Sequence, residues 1–399
     1  MVVSTYYPAR AVVDLAAIRS NVRALVGCAR PNADRTTQVM AVVKADAYGH
    51  GLLPSARAAV EGGATWLGTA QVSEALELRA AGVSVRLLTW LYAPGAPIDA
   101  LLLADIDVSV AAPWALAEVV AAARSTGRTA RIHVKVDTGL GRNGLEIDDL
   151  PAFLRDAVAA QTDGLLEVVG IWSHFAFADE PAHPTVLAQV DVFDRAVRLA
   201  EDAGAHLEVR HLANSAATLT SPRAHYDLVR PGLAVYGLSP VPQIGGPEEF
   251  GLVPAMTLEA SLATVKRVPG GRGVSYAHAY TTPSDTVLGV VPIGYADGLP
   301  RHASGHLPEH PGGPVRVGAG AAARTLAVAG RVCMDQVVVD LGPGAAEQAG
   351  DPVVLFGTGA DGGPTAEDWA QAAGTISYEI TTRLGARVPR HHVDTETAR

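Results

Sequence analysis

Val39-Met40-Ala41-Val42-Val43-Lys44-Ala45-Asp46-Ala47-Tyr48-Gly49-His50-Gly51 is an apolar run that stops at a lysine and gives way to a tyrosine and two glycines. Five apolar residues bounded by turn formers read as a buried strand. A lysine closing such a strand is costly unless its charge is paired, chemically removed or carried out to solvent on its aliphatic stem. A Schiff base with an aldehyde cofactor removes the charge, and a desolvated lysine of lowered pKa is a suitable nucleophile for that bond. What surrounds Lys44 in the fold therefore decides what it does.

Downstream, short apolar runs alternate with helical patterns. With 39–43 as the first, the runs at 66–68, 85–89, 108–111, 131–136, 168–172, 207–211 and 227–229 make eight strands, with amphipathic stretches between them. Eight β-α units in about 190 residues predict an α/β fold, a closed (β/α)8 TIM-type barrel over residues 1–250, with an open doubly wound sheet as the alternative. Lys44 follows the first strand, Lys135 and Asp137 the fifth, His174 the sixth, His211 and Asn214 the seventh, and Arg230 the eighth. All lie at C-terminal strand ends, the rim on which barrel enzymes assemble active sites.

Beyond about Val253 the helical period fades and β-branched runs punctuated by Gly and Pro take over: 257–268, 286–293, 315–317, 324–329, 336–340 and 352–356. These predict a C-terminal all-β domain over 251–399, which the early strand at 10–14 could join. The Pro- and Gly-rich loop 237–250 reads as the linker, 365–373 as a short helix, and 391–399 as a polar, frayed tail.

Composition narrows the partners. Of 399 residues, 48% are hydrophobic, enough for two domains and a substantial core, and 41 acidic against 31 basic residues give a net charge of -10 without a basic block. Nucleic acid is not an expected partner. Two distant cysteines, Cys28 and Cys333, make no disulfide framework or zinc ribbon and fit a reducing, cytoplasmic setting. Neither a secretion leader nor a membrane span is expected. No HExxH metal spacing, GxGxxG fingerprint or Walker loop occurs, so neither a metal nor a nucleotide cofactor is indicated.

Several short stretches carry chemistry. Lys135-Val136-Asp137-Thr138-Gly139-Leu140-Gly141-Arg142 sets a lysine and an aspartate on one strand face ahead of a Gly-rich turn that presents an arginine, suited to a carboxylate or phenolate. Asn214-Ser215 opens a helix, and Arg230-Pro231-Gly232-Leu233 follows the last strand; their backbone N–H groups could take a phosphate. Val274-Ser275-Tyr276 and Cys333-Met334-Asp335-Gln336 stand out in the β domain, the tyrosine as a general base if a neighbouring cation lowers its pKa, or else as an ordinary strand aromatic.

The stretch 41–51 closely resembles the pyridoxal-phosphate attachment motif of alanine racemases, fold-type III pyridoxal-phosphate enzymes. The resemblance continues in order through 135–142, Ser173-His174-Phe175-Ala176, Ala213-Asn214-Ser215, Arg230-Pro231-Gly232, Val274-Ser275-Tyr276, Gly294-Tyr295-Ala296-Asp297-Gly298, 333–336 and Ile376-Ser377-Tyr378-Glu379, spanning both domains. It implies a pyridoxal 5'-phosphate-dependent isomerase that interconverts L- and D-alanine and supplies D-alanine for peptidoglycan. Lys44 would carry the cofactor and act as base on the D face, with Tyr276 of the other subunit of a homodimer as base on the L face. Tyr48, Asn214, Ser215, Gly232, Leu233 and Tyr378 would hold the cofactor and its phosphate, Arg230 would face its ring nitrogen, and His174 would tune the tyrosine. Arg142 would hold the cofactor's phenolate side and the substrate, whose carboxylate Met334 and Asp335 of the partner chain would bind. Lys135 resembles a lysine carbamylated (N6-carboxylysine) in many members.

The chemistry fits those roles: racemisation needs a base on each face of a planar intermediate, and a ring nitrogen facing an arginine is a weaker electron sink than one facing a carboxylate. Ala277 and Leu140 depart from the family pattern, where Gly and Met are expected. The alternatives are a racemase of broader range, for example for serine, a related pyridoxal-phosphate decarboxylase of basic amino acids, and a cofactor carrier without turnover. The decarboxylase should place Glu or Asp where Arg230 stands, and the carrier should lack the β domain.

Overall fold

The computed structural model describes residues 7–29, 37–306 and 310–395. The chain divides into two compact units: Ala17–Ala47 with Leu52–Val253, and Met1–Ala16 with Tyr48–Gly51 and Pro254–Arg399. The early strand thus lies with the β-rich unit, the option its sequence left open, and residues 48–51 lie there as well. The first strand, β1 (Ala9–Asp14), pairs antiparallel with Met256–Ser261 and parallel with Arg390–Val393, so backbone hydrogen bonds draw it into the second unit. Residues 48–51 join the same unit, where the Arg390 side chain donates to the Gly49 carbonyl at 2.9 Å.

The first unit is the barrel. Its strands are β2 (Gln38–Val42), β3 (Trp66–Gln71), β4 (Arg86–Leu91), β5 (Asp107–Val110), β6 (Ala130–Lys135), β7 (Leu166–Trp172), β8 (Val209–His211) and β9 (Leu228–Val229). All ladders are parallel, in the order β8-β7-β6-β5-β4-β3-β2-β9. Between β8 and β9 the ring closes by single hydrogen bonds, Asp227 N to the Arg210 carbonyl at 3.1 Å and Arg230 N to the Ala213 carbonyl at 2.9 Å. Eight strands thus form a nearly closed (β/α)8 barrel, and the open sheet is set aside. Inside pack Met40, Trp66, Leu88, Val209 and Leu228, with Trp90 against them.

The outer helices form for local reasons. Pro113–Thr126 starts with Pro, whose missing N–H is not needed in a first turn, and ends at Gly127 in the left-handed region at φ +65. Pro184–Asp202 buries Val186, Val190, Phe193 and Val197 along one face, spaced at near-helical intervals. The loop read as a linker stays with the barrel: Gln243 Nε2 donates to the Asp179 carbonyl at 2.6 Å, and within the loop Ser239 Oγ donates to the Gly245 carbonyl at 2.6 Å.

The second unit is β-rich. Met256–Ser261 lies in a six-stranded sheet, while Thr264–Val268 belongs to a three-stranded one with Thr286–Val291 and Val337–Gly342. The single apolar run 257–268 is therefore two strands; Leu262 N bonds the Asp351 carbonyl and Ala263 N the Val290 carbonyl, so the chain changes sheets between them. Helices Ala366–Ala373 and Ser377–Thr382 complete the unit. The predicted frayed tail is corrected in part: residues 390–393 form the edge strand on β1, and 396–399 lie outside the described residues. No helix among the described residues is long and apolar enough to cross a membrane.

Candidate active site

After β2 the chain does not make an ordinary turn. Ala45, Asp46, Ala47 and Tyr48 all have φ between 53 and 55, a turn of left-handed helix. For L-residues this costs about 1–2 kcal/mol each, so the surroundings must impose it. In the barrel unit Glu74 Oε1 accepts from Ala45 N at 2.6 Å, and Asp46 Oδ1 accepts from Leu52 N at 2.7 Å. In the other unit a side chain on Gly49, at φ +82, would collide with the Thr381 carbonyl. Nothing in Ala-Asp-Ala-Tyr announces such a turn.

Lys44 is half-buried at its start. Burial, and then the Arg142 cation, hold its amine below the usual lysine range, against a smaller opposing pull from Glu74. Lys135 closes β6 almost fully buried, with Nζ 3.4 Å above the Trp172 ring. Burial, Arg230 and Arg142 push its pKa well down, and Asp137 opposes only weakly. Asp137 is occupied elsewhere: its carboxylate accepts from the backbone N–H groups of Gly139, Leu140, Gly141 and Arg142 at 2.8–3.2 Å. It shapes the turn that carries Arg142 and is not the partner of Lys135.

Arg230, immediately after β9, is buried, which lowers its pKa to about 9 and leaves it cationic at neutral pH. Its guanidinium donates to the Ser173 carbonyl at 2.7 Å, the Leu212 carbonyl at 3.1 Å, His211 Nδ1 at 3.3 Å and His174 Nδ1 at 3.4 Å. His174 stays neutral because burial, then Arg230, Lys135, Arg142 and Lys44, disfavour its charged form.

Asn214 caps the helix Ser215–Thr220, its side-chain oxygen accepting from Ala217 N at 3.1 Å. Ser215 Oγ accepts from Gly232 N at 2.8 Å and Ala234 N at 3.3 Å. Both lone pairs of that hydroxyl are thus taken, leaving its proton to be donated to an anion. Leu233 opens the one-turn helix Leu233–Tyr236 beside it.

The second unit holds the remaining residues in two groups. Tyr48 and Tyr378 face each other with ring centroids 6.2 Å apart, and burial raises the Tyr48 pKa. Tyr276 and Met334 belong to neighbouring segments: Ser275 Oγ donates to the Arg331 carbonyl at 2.7 Å and lies 3.2 Å from Cys333 Sγ. Tyr276 is 69% exposed and Met334 52% exposed, unusual for such side chains. The Asp335 carboxylate is held by Arg387 at 2.8 Å.

Backbone around Tyr276 is strained, with Ser275, Ala277 and His278 at φ 62, 60 and 47. Ala277→Gly is expected to stabilise the protein: removing a left-handed alanine gains about 1–2 kcal/mol and the freer unfolded chain returns about half of that. A chemical denaturation midpoint that falls instead would refute this.

Sequence reasoning passed over Glu74, Trp172, His133 and Asp107. For His133 a signal existed: it lies two residues before Lys135, on the same face of β6. Among the described residues no group of three or more His, Cys, Asp or Glu could hold a metal ion.

Comparison with known proteins bears on this arrangement. The family model described as "Alanine racemase, N-terminal domain" matches residues 13–240, and "Alanine racemase, C-terminal domain" matches 255–392. The chain belongs to the alanine racemase family. Alanine racemase of Beutenbergia cavernae is 61% identical over 387 residues, 97% of this chain and 98% of that one. Alanine racemase of Streptomyces coelicolor is 57% identical over 391 residues, covering 97% and 96%. The crystal structure of alanine racemase from D-cycloserine-producing Streptomyces lavendulae superposes with a TM-score of 0.92 at 55% identity, covering 98% of each chain. The two family matches leave 241–254 between them, and the last segment of the second unit begins at Pro254.

Proposed function

We propose that this chain interconverts L- and D-alanine with pyridoxal phosphate, using Lys44 and the partner subunit's Tyr276 on opposite faces of the α carbon. That it is a racemase, an isomerase of amino acids, follows from its family: relatives named alanine racemase are 46–61% identical to it over nearly their whole length. The finer assignments rest above all on one observation. Lys44, Lys135, Arg142 and Arg230 gather on one barrel rim, where burial and then Arg142 depress Lys44, burial and then Arg230 and Arg142 depress Lys135, and burial and then all four cations depress His174, with Asp137 committed to its turn. Such a cluster of cations needs anions, and a phosphorylated cofactor together with an amino-acid carboxylate supplies them.

The residues present fit that cofactor. Lys44, with its lowered pKa, offers a neutral amine to an aldehyde. The Ser215 hydroxyl, the N–H of Leu233, and the hydroxyls of Tyr48 and Tyr378 would hold the phosphate; Gly232 would line it while its own N–H stays on Ser215 Oγ, and Asn214 fixes the Ser215 helix. Arg230 would face the ring nitrogen and Arg142 the phenolate side. When bound, the cofactor would draw electrons from the α carbon and ease loss of its proton. Lys44 would take or return that proton on the D face, and Tyr276 on the L face, tuned by His174. Because Arg387 already pairs the Asp335 carboxylate, the backbone at Met334 and Asp335 is the group offered to the substrate carboxylate.

Tyr276, Met334 and Ile376, exposed at 69%, 52% and 60%, are large apolar side chains on the second unit, which supports a homodimer with shared sites. Lys135 would be an N6-carboxylysine: a carbamate turns its buried cation into an anion for Arg142. In 13C-bicarbonate the wild type is expected to gain a carbamate carbonyl resonance that Lys135→Ala lacks; no such resonance would rule the modification out. The activity itself is tested by incubating purified holoenzyme with L- or D-alanine in deuterated water. Both enantiomers should become α-deuterated and racemic, and a bound cofactor with unlabelled alanine would redirect attention to serine or to decarboxylation of basic amino acids.

A further inference from the structure

A barrel interior is ordinarily filled with layers of apolar side chains. In this one a line of polar groups runs through the core, from the N-terminal end of β5 to the rim. Arg230 Nη1 lies 3.3 Å from His211 Nδ1, His211 Nε2 lies 2.9 Å from His133 Nδ1, and His133 Nε2 lies 3.1 Å from Asp107 Oδ2. His133 and His211 are completely buried, and Asp107 and Arg230 nearly so. Asp107 is anchored by Arg86 at 2.7 Å and Arg131 at 3.3 Å, and Glu208 bridges the same two arginines.

We propose that Asp107, His133 and His211 are positioning residues, forming a one-way hydrogen-bond chain that orients the Arg230 guanidinium and carries a distant counter-charge to it. The inference rests on the reading that Arg230 faces the cofactor's ring nitrogen. The direction follows from donor inventory. A carboxylate only accepts, so His133 donates from Nε2 and its Nδ1 must accept. His211 then donates from Nε2 and accepts at Nδ1, which suits a guanidinium that only donates. Protonating either ring would set N–H against N–H. Consistent with this, burial, Arg230, His133 and Lys135 all keep His211 neutral.

Local structure is arranged around His133. The β6–β7 ladder shifts register between Ile132 and His133, an irregularity of the kind that re-aims a side chain. The β7 residue beside it is Gly170, where any Cβ would overlap the His133 ring. The ring meets Trp66 edge-on at 5.5 Å, and His211 stacks on Trp172 at 5.5 Å with 3° between planes. Trp172 is fixed in turn by its Nε1, which donates to Ser109 Oγ at 2.9 Å. Packed rings and a chain of mutually polarised hydrogen bonds leave the guanidinium little freedom.

The chain is read first on the cofactor-free protein, labelled with 15N at histidine. Long-range 15N–1H spectra of the wild type, assigned with His133→Phe, should show Nε2 protonated and Nδ1 bare in both His133 and His211. The opposite tautomer at either ring overturns the proposal, whatever the fate of the cofactor assignment. In the holoenzyme, Asp107→Asn and His133→Phe should lower kcat about 10–100-fold, the usual effect of groups that orient a cofactor ligand, with KM within about twofold and a shifted cofactor absorbance. Glu208→Gln, which loosens the same arginines outside the chain, should lower Tm yet leave kcat and absorbance unchanged. If Asp107→Asn and His133→Phe behave like Glu208→Gln, the chain only holds the barrel together and the proposal fails. A wild type with no cofactor absorbance would instead overturn the reading of the site, and with it the role assigned to the guanidinium.

Discussion

Lys44→Ala is expected to lose the visible absorbance of bound cofactor and at least about 10³-fold of racemisation in both directions, because one side chain holds the cofactor and moves the proton on one face. The effect should be chemical. Lys44 is half-buried at the head of a turn held by Glu74, Asp46 and Gly49 through contacts to backbone that do not involve the lysine amine. Removing a cation from a rim crowded with Lys135, Arg142 and Arg230 should leave Tm the same or higher. A small primary amine added to the medium should restore part of the activity by supplying the missing base. Undiminished cofactor absorbance in Lys44→Ala would overturn the attachment assignment, and α-deuteration of D-alanine at the wild-type rate would overturn its role as base.

Tyr276→Phe is expected to cost about 10²–10⁴-fold in racemisation while splitting the isotope exchange. D-alanine should still exchange its α hydrogen without inversion, since Lys44 serves that face, whereas L-alanine should not exchange. The exposure of Tyr276 and Met334 on the second unit adds a sharper test. In a heterodimer of Lys44→Ala and Tyr276→Phe chains, one site combines both damaged residues and the other combines intact Lys44 with intact Tyr276. Such heterodimers, isolated by two affinity tags, should recover about half the wild-type activity from two inactive parents, as twofold symmetry with shared sites requires. Heterodimers as inactive as their parents would show that each site draws both bases from one chain.

Much of this was legible along the chain. The eight barrel strands are short apolar runs whose buried faces need no knowledge of their neighbours, and amphipathic stretches between them fix a parallel order. Rim residues follow at once, since anything just after a strand lies at its C-terminal end: Lys44, Lys135, His174 and Arg230 needed only the strand count. Less legible were positions whose conformation opposes local preference. Ala45 to Tyr48 would favour a right-handed turn by themselves, and the left-handed one exists because Glu74 satisfies its first N–H groups, Asp46 ties it to Leu52 N at the start of the next helix, and Gly49 leaves room beneath the Thr381 carbonyl. Asp137 read as a neighbour for Lys135 by its spacing, but four backbone N–H groups of the following turn outbid a lysine two residues away.

The sequence by itself determined the barrel, the β-rich unit, the family and the inventory of chemical groups, because those depend on periodicity and on motifs contiguous in the chain. Only the tertiary structure decided that β1 and residues 48–51 belong with the second unit, that 257–268 is two strands in two sheets, and that Asp107, His133, His211 and Arg230 stand in one line. Those four come from four different strands or their ends, over 120 residues apart from first to last. Their meeting depends on the register of parallel ladders, on one irregularity and on one missing Cβ. Register between strands distant in sequence is set by packing across the closed barrel, and no local pattern carries it.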